Sequence, residues 1–172
     1  GIDEATAISI FDEVNDFANY AFNKSHAAAY AFISYQTAYL KHFYPVHFMA
    51  ALITGFMDEA SKVSIYVETC KSMGIKILPP DINKSYSTFS VEGNDIRFGL
   101  GSIKNVGIAF VDRAVEERKN NGDFKSFSDF AKRMSDKDIN KRSVEGIIRV
   151  GSFDLIVPSR SKLLAGFENI VE

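Results

Sequence analysis

Apolar residues recur at three- and four-residue spacing at the start of the chain: Ile8, Phe11, Val14, Phe17, Ala18 and Ala21. That period predicts a helix with one apolar stripe. A second helical run, from about Ser25 to Tyr44, is apolar or aromatic nearly all round, with Tyr30, Phe32, Ile33, Tyr35, Tyr39 and Leu40. A helix of that kind is expected to be buried centrally or covered by something outside the chain. Pro45 ends it or starts the next, and Val46 to Thr54 reads as a short helix closed by Gly55. Asp58 to Met73 predicts a fourth helix with Val63, Tyr66, Val67 and Cys70 inward, and Gly74 as its left-handed stop.

Beyond Gly74 the pattern changes. Ile75 to Leu78 reads as extended, and Pro79-Pro80 can neither continue a helix nor donate to a sheet ladder. Asp81 and Asn83 mark turns. Thr88 to Val91 and Asp95 to Phe98, flanking Glu92-Gly93-Asn94, predict a small β-hairpin. Helical spacing then resumes at about 107–120, 126–134, 140–150 and 159–171. The fold class expected is mainly α, in two segments: a multi-helix segment over residues 1–74, then a small β element with further helices over 75–172.

Composition narrows the class. The chain has 172 residues and is 46% apolar, enough for a real core. No uncharged apolar run is long enough to span a membrane, and no signal peptide is visible, so a cytoplasmic location is expected. Cys70 is the only cysteine, which excludes an intrachain disulfide or a cysteine-rich zinc site and favours a buried thiol. The chain opens at Gly1 inside a helical pattern, as expected of a piece of a larger protein. Residues 1–74 hold four Lys/Arg against eight Asp/Glu, and residues 75–172 sixteen against fourteen. The net charge of −2 permits nucleic-acid binding through local patches but argues against strong nonspecific affinity.

Three places carry candidate chemistry. Asn23-Lys24-Ser25-His26 precedes three alanines, Ala27 to Ala29. Ser25 is a candidate N-cap, and Lys24 and His26 then lie at the positive end of a helix dipole, a suitable phosphate site. The alternative is a plain cap with both cations in solvent. The second place is Leu100 to Phe110, continuing to Val115 and Arg118, which resembles a helix-hairpin-helix motif. Such a turn offers backbone N–H groups to DNA phosphates and needs small or αL-tolerant residues. Gly107 fits; Asn105 stands where the motif often has glycine and still tolerates αL. Lys104, Asn105, Val106 and Gly107 are therefore candidate DNA-contacting residues, against the alternative of a corner used only for packing. A basic group, Lys137, Asn140, Lys141, Arg142 and Arg149, flanks a later helix start. Asn140 is its expected cap, and Lys141 and Arg142, unfavourable to the dipole there, hint at an external anion. Arg118-Lys119 is explained by the dipole of a helix C-terminus.

The blocks Phe22 to Ala31, Ser34 to Lys41, Tyr44 to Ala51, Gly74 to Asn83, Ile96 to Leu100, Asn140 to Arg142 and Gly151 to Asp154 together resemble the bacterial replicative DNA polymerase III alpha subunit. They run nearly the whole chain in that family's order, and the first resembles its fingers region. Where the family often has glycine, this chain has Ala21. The resemblance implies the C-terminal part of the fingers followed by a helix-hairpin-helix region of a DNA-directed DNA polymerase. It implies nucleotide binding by Lys24, Ser25 and His26, and DNA binding by residues 104–107, Lys141 and Arg142. Primer–template DNA, a deoxynucleoside triphosphate, the remaining polymerase domains and replisome subunits are the partners implied, and no membrane.

Nucleotidyl transfer needs carboxylates that hold two metal ions, and the family's lie in a palm motif that no block here matches. Asp12, Glu13 and Asp16 read as the wet face of the first helix, and His42 and His47 as structural or surface residues. The expectation is no cofactor on this segment, Mg2+ in the intact polymerase, and no activity from the segment alone. The competing class is a noncatalytic helical packing or protein-interaction module.

Overall fold

The computed structural model describes residues 1–20, 24–134 and 140–171, in two compact units, residues 1–43 and 44–172. The first unit holds α1 (Glu4–Tyr20) and α2 (Lys24–Phe43). Asp3 caps α1: its carboxylate accepts from the Thr6 N–H at 2.9 Å and the Thr6 hydroxyl at 2.7 Å. The predicted stripe of α1 is present, and Ile8, Phe11, Val14 and Phe17 are all exposed. Ala21 lies outside the described residues. No side chain of α2 is buried; Phe32 and Tyr35 stand 64% and 69% exposed. Of the two expected outcomes, central burial is not met among the described residues, and cover from outside the chain stays open.

In the second unit, α3 (Pro45–Gly55) opens with proline in its first turn, where the missing N–H costs nothing. It packs on α4 (Ala60–Ser72), which ends at Gly74 with φ +75°. As the apolar spacing required, Cys70 is buried and Val63, Tyr66 and Val67 are half-buried. Burial pushes the Cys70 thiol above its ordinary pKa. Three short strands follow: β1 (Ile77–Leu78), β2 (Ser90–Glu92) and β3 (Asp95–Arg97), in the order β1-β3-β2. β1 runs parallel to β3, with Ile77 opposite Ile96, and β2 runs antiparallel to it, with Glu92 opposite Asp95. Gly93, at φ +63°, supplies the first central residue of the two-residue hairpin loop. Met49, Ile53, Cys70, Ile75, Phe89 and Ile96 form one core beneath this sheet. The predicted seam near Gly74 falls inside this unit, where α4 meets β1.

A second core gathers the remaining helices: α5 (Ile108–Asn121), α6 (Phe127–Arg133), α7 (Lys141–Arg149), α8 (Arg160–Gly166) and α9 (Glu168–Val171). Phe124, Phe127, Phe130 and Phe153 meet at centroid distances of 5.1–6.0 Å, mostly edge to face. Ser126, Asn140 and Ser159 cap α6, α7 and α8 through their side chains. The single helix expected over 159–171 is two pieces, divided at Phe167, which is buried in the core.

Arg118 departs from the expected dipole role. It is buried on α5, and its guanidinium donates to the Ile82 carbonyl at 2.7 Å and the Lys84 carbonyl at 3.1 Å. It stitches the 82–84 loop to the helix, a tertiary role that helix position does not disclose.

Candidate nucleic-acid interface

The candidate hairpin begins with a single 3₁₀ turn, Leu100–Ser102, held close to a neighbouring chain segment. The Leu100 N–H donates to the Tyr86 carbonyl at 2.8 Å and the Gly101 N–H to the Ser87 carbonyl at 2.9 Å. A Cβ at Gly99 would stand 2.6 Å from the Thr88 carbonyl carbon, and one at Gly101 2.6 Å from the Ser87 oxygen. Both positions therefore demand glycine for close backbone approach.

The turn then reverses at Asn105, whose φ of +68° makes it the residue in the left-handed region. Asparagine tolerates that conformation better than other non-glycine residues because its short side chain is adaptable. Gly107 is not the left-handed residue: at φ −75° it is the extended N-cap of α5. It has no side chain to cap the first-turn N–H groups, and a Cβ there would meet nothing within 4 Å. The approach to the start of α5 is thus open. Val106 points the other way. It is buried in the core, and its N–H donates to the Ile103 carbonyl at 3.0 Å. Lys104 and Asn105 are exposed.

The helix α7 comes alongside this turn. Asn140 is its cap, as expected, and accepts from the Arg142 N–H at 2.9 Å. Lys141 and Arg142 are exposed in the first turn, while Lys137 lies outside the described residues. A groove of about 460 Å³ runs between the two elements. Ser102, Lys104 and Asn105 line one side, and Arg142, Glu145 and Arg149 the other. Arg149 pairs with Glu145 at 2.6 Å, which leaves Lys104 and Arg142 as the cations best disposed toward an outside anion. The structure therefore brings together two of the predicted places, residues 104–107 and 141–142, that sequence spacing kept apart. The residues that hold them together, Ser143 and Gly146, carry no motif and no charge.

Lys24, Ser25 and His26 form the first turn of α2, and all three are exposed. Lys24 before it is already helical, so Ser25 lies inside the helix and not at its cap; the alanine-rich turn that follows favours helix there. Asn23 lies outside the described residues. The His26 ring sits 4.3 Å from the Tyr30 ring, one helical turn on. Asp12, Glu13 and Asp16 are exposed on α1, and His42 and His47 are exposed as well. Among the described residues, no group of three or more His, Cys, Asp or Glu is placed to hold a metal ion, and no helix is long and apolar enough to cross a membrane.

Known proteins resemble this chain in two ways. Residues 74–163 match the helix-hairpin-helix motif family, and this span contains both sides of the groove. The DNA polymerase III subunit alpha of Thermus aquaticus is 45% identical over 171 residues, 99% of this chain and 14% of the relative. The proteins of the same name from Borreliella burgdorferi and Vibrio cholerae are each 45% identical over 172 residues, or 15% of their own length. The chain thus spans about one seventh of these relatives. It belongs to the helix-hairpin-helix motif family, and its whole length is homologous to one segment of DNA polymerase III subunit alpha.

Proposed function

We propose that the chain serves as a segment of a DNA-directed DNA polymerase in replication, and that it holds primer–template DNA through the turn at 103–107 together with the start of α7. The observation that carries this reading is the open approach to the uncapped start of α5, beside exposed Lys104 and Arg142, in a chain 45% identical to polymerase III alpha subunits from end to end. Backbone N–H groups and flexible cations are what DNA phosphates require, and they position a duplex without reading its sequence. Val106 supports the turn from the core side, and Asn105 and Gly107 shape its backbone. Lys141 adds charge at the same edge.

In the same reading, α1 to α4 are the C-terminal part of the fingers, and Lys24, Ser25 and His26 face the triphosphate of the incoming nucleotide. The exposed aromatic flank of α2 fits packing against other domains of the parent or replisome subunits. The Mg2+ ions of the reaction belong, in this reading, to carboxylates of the parent polymerase outside this chain. The segment alone is then inactive, contributing orientation and charge and not metal chemistry. Metal-dependent primer extension by the purified chain, lost on a substitution within it, would reverse that assignment.

Fluorescence anisotropy with a labelled primer–template duplex, across a salt series, tests the DNA reading. Binding should be weak and salt-sensitive. Lys104→Ala and Arg142→Ala should each lower the log–log salt slope by about 0.9, the loss of one phosphate contact. Slopes unchanged in both variants would assign the hairpin to packing alone.

A further inference from the structure

We infer that Ser143 is a positioning residue for the DNA-facing turn, an assignment that rests on the DNA reading above. The Ser143 hydroxyl donates to the Asn105 carbonyl at 2.8 Å, and Ser143 is buried. A serine inside a helix ordinarily turns its hydroxyl back to its own backbone or out to water. This one leaves α7 and grips the carbonyl of the one non-glycine residue at positive φ among the described residues.

One helical turn on, Gly146 completes the seat. A Cβ there would stand 3.0 Å from Val106 Cγ2 and 3.2 Å from the Lys104 carbonyl oxygen. Residues three apart share a helix face, so one strip of α7 supplies both the polar grip and the close approach. The link fixes how Lys104 on the turn faces Arg142 on the helix. Weakening it changes the spacing of the charges without changing their number.

The test compares Ser143→Ala, Ser143→Thr and Gly146→Ala in the whole chain, using the labelled duplex at fixed salt and well below melting. Ser143→Ala should weaken binding about threefold to tenfold, the range for one lost hydrogen bond. Ser143→Thr, which keeps the hydroxyl, should recover most of that loss. Gly146→Ala, which keeps the hydrogen bond and pushes the turn outward, should weaken binding too; it serves where Ser143→Ala fails to fold. In the Ser143→Ala background, Lys104→Ala should cost less than in the parent, because the lysine is already displaced. A variant that lowers the melting temperature yet binds DNA like the parent, with Lys104→Ala still harmful, overturns the positioning role and leaves the DNA reading standing. Absence of binding by the parent chain itself overturns both.

Discussion

Asn83 grips the backbone of Phe124 at both ends. Its carboxamide oxygen accepts from the Phe124 N–H at 2.9 Å, and its nitrogen donates to the Phe124 carbonyl at 2.9 Å. The pair joins the loop after β1 to the start of the phenylalanine core, since Phe124 is buried against Phe130. Asn83→Ala would strip both partners from a half-buried peptide, at about 1–3 kcal/mol. Urea unfolding should report that loss with an unchanged m-value. A midpoint like that of the parent would mean that water replaces both bonds freely.

Gly99→Ala should destabilise the second unit by about 1–3 kcal/mol, because the new methyl meets backbone atoms at 2.6–2.9 Å and backbone yields less easily than a side chain. Gly107→Ala is the control, since open space receives its methyl. Thermal melts of the two variants should separate clearly. Equal melting temperatures would mean that the 86–89 segment moves aside at little cost.

Acid should loosen the fold through paired carboxylates. Hydrogen bonds from Arg97 hold the Glu92 carboxyl below its ordinary 4.5, and one from Arg133, with another from Asn121, does the same for Glu117. The folded state therefore binds fewer protons than the unfolded state in this range. The stabilisation is complete above about pH 5 and is lost as pH falls through the depressed folded values. Arg97 is buried, and its guanidinium meets Glu92 at 2.8 Å through two nitrogens, so Glu92→Gln leaves a cation poorly paired. Urea midpoints of Glu92→Gln should fall below the parent at pH 7 and converge on it in acid. A gap that persists at about pH 3 would show that packing, not ionisation, is responsible.

On the proposed reading, Lys24→Ala and His26→Ala placed in a polymerase III alpha subunit that carries this segment should lower kcat/KM for the nucleotide about tenfold to hundredfold without loss of fold stability. Steady-state primer extension with varied nucleotide measures it. Parental kinetics in both variants would make the first turn of α2 purely structural.

Local chemistry was legible in the sequence. The helices follow from three- and four-residue apolar spacing, and α7 from its Asn140 cap. The left-handed stop at Gly74 and the tolerance of Asn105 for αL follow from residue type. These signals depend on neighbours a few positions away, which a single chain displays directly. Tertiary structure decided what spacing cannot encode. Arg118 reaches carbonyls 36 and 34 positions upstream, and Ser143 reaches one 38 positions away. Gly99, Gly101 and Gly146 matter through what lies opposite them in space. The inward turn of Val106 and the shared groove of Lys104 and Arg142 likewise arise only when the hairpin docks on α7. A motif resemblance marked the turn at 104–107 and charge pattern marked the start of α7; the hydrogen bond and the missing methyl that join them carry no such mark, because they act through distance and not through sequence order.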